Sequence, residues 1–276
     1  MNANAQQHPD YALGHSDQEL ERLIRQSQYF DELTANVLRQ AGLAEGMRVL
    51  DVGCGAGDVS FLAARLVGPR GAVMGIDTSA DAVALASRRA KDAGLSNVRF
   101  LLRDATELEL EQPIDALIGR LVLLYFADPA VALRRLTRLL RPGGVVVFHE
   151  MDMDGATSEP YCPTFEIGLQ RIKDAFTRGG AEIRMGLMVS RVFQEAGLPA
   201  PRMVLGARVE SGPEAAIYEQ LAAVTRSLLP LMSSDDDAGV ESDIETLASR
   251  LREEAVALDA TLVSPTLIGA WARKEQ

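Results

Sequence analysis

The chain has 276 residues, 47% of them apolar and 24% charged, and a formal net charge of −11. That length suits one large domain, or one domain with a sizeable insertion. The negative charge argues against a nucleic-acid partner, because binding a phosphate backbone needs a basic face. No run of about eighteen uncharged apolar residues occurs, so no membrane-spanning helix is predicted. The first nine residues are polar and lack the apolar core of a signal peptide. Cys54 and Cys162 show neither pairing nor metal spacing, which fits a reducing cytoplasm. Three dispersed histidines without a thiolate partner give no metal site.

Residues 1–15 read as loose leader. Ser16 to Glu19 has the form of a capping box, predicting a helix to about Tyr29. A second is expected from Glu32 to Ala41, stopped by Gly42. This pair is either a lid over one mouth of a sheet or plain packing. Arg48 to Val52 is a strand-length apolar run, and Gly53, Gly55 and Gly57 then punctuate the chain before a helix over Val59–Val67. Further strands are expected over Ala72–Asp77, Val98–Leu102, Ile114–Gly119 and Val145–His149. They alternate with helices over Ser79–Ala93 and Ala130–Leu140. Near-continuous apolar strands alternating with helices mean a parallel sheet covered on both faces. Later helices are predicted over Pro163–Thr177, Gly186–Ala196, Glu214–Leu229 and Glu241–Leu258, and strands over Arg202–Glu210 and Thr266–Trp271. Ser233–Asp237 reads as an acidic surface loop.

The glycine turn after the first strand, followed by a helix N-terminus, forms a concavity lined with backbone N–H groups. Two ligands compete for it. A dinucleotide fingerprint needs G-x-G-x-x-G, and here Asp58 stands where the third glycine belongs. Asp51 would repel a pyrophosphate, yet it suits a ligand carrying an ammonium and a sulfonium. Asp77, at the end of the second strand, can accept both ribose hydroxyls of either ligand. Asp104, after the third, can accept an adenine amino group.

These pieces resemble the class I S-adenosylmethionine-dependent methyltransferases. The matching stretches are Val49-Leu50-Asp51-Val52-Gly53-Cys54-Gly55-Ala56-Gly57, Gly75-Ile76-Asp77-Thr78-Ser79, Arg103-Asp104-Ala105 and Leu140-Arg141-Pro142-Gly143-Gly144, in family order. The resemblance implies a Rossmann-like, doubly wound α/β fold: a seven-stranded sheet, parallel with an antiparallel last strand, plus a helical cap. It implies S-adenosylmethionine as cofactor and S-adenosylhomocysteine as product. Gly53, Gly55 and Gly57 would approach the methionine part, with Asp51 and Cys54 in the same turn. Asp77 would hold the ribose diol beside Thr78 and Ser79, and Asp104 with Ala105 the adenine. Arg120 and Leu121 would lie along the cofactor near the transfer point. The longer pattern, including Tyr11–Ser16 and Gly119–Leu123, is similar to bacterial small-molecule methyltransferases of the menaquinone/ubiquinone kind. In those a leader helix covers the cofactor, which makes Tyr11, Arg22 and Gln28 contact candidates.

The implied organisation is a helical lid over 1–44, a cofactor-binding core over 45–150, a cap segment over 151–182 and a core helix and strand over 183–212. A helical insert follows over 213–259, serving as cap or dimer contact, and a closing strand over 260–276. His149 is the first candidate for a general base, since its ordinary pKa lies near neutrality. Glu150 would orient it or meet substrate, or is a strand-end carboxylate that needs no function. The alternative for His149 is a structural hydrogen bond at the sheet end. Met151, Met153, Met185 and Met188 read as adaptable packing, though they would also suit an apolar pocket wall. The expected partner is a small apolar or aromatic methyl acceptor at oxygen, nitrogen or carbon, bound by a monomer or homodimer. Cofactor binding without methyl transfer, and an NAD-dependent oxidoreductase, are the competing functions.

Overall fold

The computed structural model describes residues 17–232 and 240–275, leaving out the side chains of 17–28 and 240–243. The leader over 1–15, the capping Ser16 and the acidic loop at Ser233–Asp237 lie outside the described residues. The first helix, α1, runs unbroken from Asp17 to Gln40. This corrects the expected pair of helices. No glycine or proline separates Tyr29 from Glu32, so nothing interrupts the backbone ladder.

The glycine turn joins β1 (Arg48–Val52) to α2 (Asp58–Val67). Next come β2 (Ala72–Asp77), α3 (Ala80–Asp92), β3 (Val98–Leu102), β4 (Ile114–Arg120) and α4 (Pro129–Leu136). Ser79 caps α3 by accepting from Ala82 N at 3.2 Å. A long β5 (Leu140–Asp152) follows, then a short β6 (Thr157–Glu159), α5 (Pro163–Arg178) and α6 (Met185–Glu195). The chain ends with β7 (Arg202–Gly206), β8 (Val209–Ser211), α7 (Ile217–Ser227), α8 (Val240–Ala257), β9 (Thr261–Val263) and β10 (Thr266–Arg273).

The main sheet has the order β3-β2-β1-β4-β5-β10-β7. Only β10 runs antiparallel to the other six strands. One face, through Val49, Ile118, Val147 and Trp271, packs on α1 and α2. The other, through Leu50, Leu117, Phe148 and Ala270, packs on α4 and α6. Two expectations change here. β5 continues beyond His149 because Glu150, Met151 and Asp152 pair with Ile268, Leu267 and Thr266 of β10. The single strand expected over Arg202–Glu210 divides, with β7 joining the main sheet and β8 joining a small β6-β9-β8 sheet. Beside that small sheet α1, α5, α7 and α8 enclose a second apolar cluster, including Phe30, Phe165, Tyr218 and Leu251.

Contact between α1 and the sheet is close: a Cβ at Gly269 would lie 2.4 Å from Val37 Cγ2. Gly269→Ala must therefore push α1 outward, an overpacking worth about 1–3 kcal/mol of destabilisation. Denaturant unfolding should show a lower midpoint for this variant than for the parent.

Candidate active site

The site is built at the carboxyl ends of β1, β2, β4 and β5, where ligands of such sheets bind. Gly53, Gly55 and Gly57 have φ of 65°, 51° and 90°. Two of these glycines are also needed for space. A Cβ on Gly57 would meet Phe100 Cζ at 2.8 Å, and one on Gly53 would meet Val122 Cγ2 at 2.5 Å. The turn thus presses on both β3 and the loop after β4. Asp77 fastens it from the next strand, its Oδ2 accepting from Gly55 N and its Oδ1 from Ser79 N, both at 2.9 Å. Asp104 accepts from the backbone N–H and hydroxyl of Thr106 at 2.7 Å each. Asp58, the residue that breaks the dinucleotide spacing, opens α2 and pairs with Arg89 at 2.7 Å.

Asp51 lies beneath the turn, 1% exposed, and accepts from Ser60 Oγ at 2.6 Å. Burial pushes its carboxyl up to about 7, against the lowering effect of the Ser60 hydrogen bond and the Arg120 charge. Burial also raises the Cys54 thiol well above its ordinary value, which fits a packing residue. Arg120 reaches from the end of β4 to α1, donating to Thr34 Oγ1 at 3.0 Å and Asp31 Oδ1 at 3.3 Å. Leu121, the next residue, has a φ of 54°. Such backbone in a non-glycine residue is held only when its surroundings enforce it, and it concentrates at ligand sites.

Glu150 is what enforces the loop. It is fully buried, and its Oε1 accepts from Val122 N at 3.1 Å and Leu123 N at 3.0 Å. Its Oε2 is buried with no hydrogen-bond partner among the described residues. Burial pushes the carboxyl up to about 7, although those backbone donors pull it down. The expectation that Glu150 orients His149 is corrected, because neighbouring strand residues point to opposite faces. His149 faces α1, its Nδ1 standing 3.1 Å from Thr34 Oγ1. Burial, with the Arg120 charge, holds its pKa down at about 3. A histidine so placed is a poor proton acceptor at neutral pH, so the structural alternative is the one its surroundings support.

Thr78, Ala105 and Leu121 lie in the loops that follow β2, β3 and β4. Tyr11 and the side chains of Arg22 and Gln28 fall outside the described residues, the latter two on α1. What the sequence did not disclose is a cavity beside the sheet ends, with about 550 Å³ of empty space, part of it open to solvent. Its walls include Phe30, Phe165, Leu169, Ile172, Phe176 and Leu221, and Met151 and Met153 complete one side. Met185 is instead buried in the core, and Met188 is partly exposed. Leu121 packs against both the sheet core and the cluster around this cavity.

A nucleotide-type glycine turn and a largely apolar cavity, both at the carboxyl-end side of the sheet, make a candidate cofactor and small-molecule site. A methyltransferase-domain family matches residues 43–196. The chain belongs to that family, within the class I S-adenosylmethionine-dependent methyltransferases, and the cofactor of the family is S-adenosylmethionine. Demethylmenaquinone methyltransferase of Staphylococcus aureus is 36% identical over 131 residues, 47% of this chain and 51% of that protein. A 37.1 kDa protein of transposon TN4556 from Streptomyces fradiae is 36% identical over 163 residues, 58% of this chain and 45% of that protein. The chain thus matches about half the length of these curated relatives. Among solved structures, the [4+2]-cyclase SpnF superposes with a TM-score of 0.54 at 24% identity, covering 90% of this chain and 82% of its own. Phosphoethanolamine N-methyltransferase 2 of Haemonchus contortus, solved with S-adenosylhomocysteine, gives 0.55 at 19% identity, covering 89% and 53%.

Glu150 generates a pH signature. Its folded pKa near 7 stands above its ordinary 4.5. The stability it confers is therefore complete below about 4.5 and lost as pH rises through 7, by up to about 3 kcal/mol. Glu150→Gln keeps the acceptor for Val122 and Leu123 and cannot ionise. Its unfolding free energy, measured from pH 4.5 to 8, should fall less steeply than the parent's.

Proposed function

We propose that this protein moves the methyl group of S-adenosylmethionine to a small apolar or aromatic acceptor held in the cavity beside the sheet ends. The observation that carries this reading is the buried Asp51 carboxylate beneath the glycine turn. A carboxylate there disfavours a pyrophosphate, whereas a cationic ligand lowers the cost of ionising it. Cofactor binding in this reading falls to the glycine turn, Asp77 with Thr78 and Ser79 at the ribose, and Asp104 with Ala105 at the adenine. Arg120 and Leu121 border the transfer point.

The bound cofactor supplies an electrophilic methyl group on sulfur. The chain's part is to position and to exclude water. Glu150 holds Val122 and Leu123, and with them the loop that carries Leu121 against the cluster around the cavity. Arg120, through Thr34 and Asp31, keeps α1 over the sheet ends. The helices α5 and α7, from the segments expected to cap the core, supply the cavity walls. The menaquinone-type relative supports an apolar acceptor.

A second reading is that the cofactor is bound without methyl transfer. It is favoured by the position of His149, whose pKa near 3 withdraws the expected proton acceptor. Formation of S-adenosylhomocysteine in the presence of an acceptor decides between the two.

Titration with S-adenosylmethionine, S-adenosylhomocysteine and NADH should show binding of the two adenosyl compounds alone. Tight NADH binding without either would overturn the proposal. Asp77→Ala should weaken S-adenosylmethionine about ten- to a hundredfold by loss of charge-assisted hydrogen bonds. Binding to ionised Asp51 must also displace a proton below pH 7. Affinity for S-adenosylmethionine should therefore rise about tenfold from pH 6 to pH 8, and Asp51→Asn should flatten that rise.

A further inference from the structure

The glycine turn is also held from α3. Arg89, in the last turn of that helix, donates from Nη1 to Ala56 O at 2.6 Å and from Nη2 to Asp58 Oδ1 at 2.7 Å. One guanidinium thus bonds both residues that flank Gly57. It lies 5.1 Å from the centroid of the Phe61 ring, which meets Phe100 edge to face at 5.8 Å. Gly57 rests on the same two rings: a Cβ there would stand 2.8 Å from Phe100 Cζ and 3.0 Å from Phe61 Cζ. The Asp58 and Arg89 side chains are 11% and 25% exposed, so their pair is screened less than one on the open surface. Asp58 has need of that partner. It opens α2, and Gly57 gives the helix no side-chain cap. A helix N-terminus attracts an anion, and an acid in its first turn cancels part of that attraction. Arg89 offsets the Asp58 charge and fixes the Ala56 carbonyl toward α3.

We infer that Arg89 is a positioning residue for the cofactor: by binding Ala56 O and Asp58 together, it sets the glycine turn and the start of α2 to receive the carboxylate at the amino-acid end of S-adenosylmethionine. The inference rests on the proposed cofactor reading, in which Asp77 takes the ribose and Asp104 the adenine, leaving the amino-acid end to the turn. It adds to that reading a residue on α3 that acts through Ala56 and Asp58. Without the guanidinium, the Asp58 charge opposes a carboxylate at the helix end and the Ala56 carbonyl loses its anchor. Arg89 therefore governs affinity for one end of the cofactor and leaves the adenosine end alone.

The test is calorimetric titration of the full chain with S-adenosylhomocysteine and with 5′-methylthioadenosine, which keeps the adenine, ribose and sulfur but lacks the amino-acid end. Arg89→Met keeps an apolar stem over Phe61 and removes the guanidinium. It should weaken S-adenosylhomocysteine about tenfold and 5′-methylthioadenosine by less than about twofold. Arg89→Lys keeps a charge beside Asp58 without the two-pronged bond, and its affinity for S-adenosylhomocysteine should fall between those of the parent and Arg89→Met. If Arg89→Met does not fold by circular dichroism, Arg89→Lys carries the same comparison of two ligands. An equal loss for both compounds is what a merely structural role predicts, and it overturns the inference. So does unchanged S-adenosylhomocysteine binding in a folded Arg89→Met. A parent protein that binds neither compound overturns the cofactor reading and the inference with it, whereas parent binding with an unshifted ratio in the variants overturns the inference alone.

Discussion

A carboxylate buried in β1, inside the sheet, is the constraint around which the site is assembled. Asp51 has almost no contact with water, and ionising it there is costly unless neighbours compensate. Ser60 supplies a hydroxyl from the first turn of α2, which requires that helix to begin directly above the strand. The turn makes that reversal with positive φ at alternate residues, Gly53, Gly55 and Gly57. Arg120 supplies the nearby positive charge from β4, and its own burial is relieved by Asp31 and Thr34 of α1. One charge thus ties together two strands and two helices.

Glu150 plays the corresponding part on the other side. Its carboxylate holds the N–H groups of Val122 and Leu123, and Val122 bears directly on Gly53. The glycine turn and the loop after β4, which carries the left-handed Leu121, therefore brace one another. A bulkier residue at 53 would part the two loops, whatever it did to a ligand. The glycine pattern is in this sense as much a packing requirement as a binding one.

The core was legible because its signals are local. Strand, glycine turn and helix occupy adjacent residues, and the acid at Asp77 closes its own strand. What escaped depends on partners far away in the chain. The extension of β5 through Glu150 is imposed by β10, more than a hundred residues later. The division of the strand expected over Arg202–Glu210 follows from Arg208 turning toward Tyr29 and Ser264. His149 was legible as a titratable group but not as a buried one. Its proximity to Thr34 joins segments 115 residues apart, and burial outweighs its ordinary pKa.

The two halves of the site also differ in how widely they are shared. The cofactor motifs lie within residues 43–196, the stretch matched by the methyltransferase-domain family. Eight of the fourteen residues lining the cavity lie outside it: Tyr29, Phe30, Ile217, Gln220, Leu221, Val224, Ser264 and Pro265. They come from the part of α1 around Tyr29 and Phe30, from α7 and from the β9–β10 turn, which border the second apolar cluster. Side chains there can change without disturbing Asp51, the glycine turn or Glu150, because the two clusters share few contacts beyond Leu121 and Phe176. On the proposed reading the donor is a property of the family match, while the acceptor is set largely by these eight side chains.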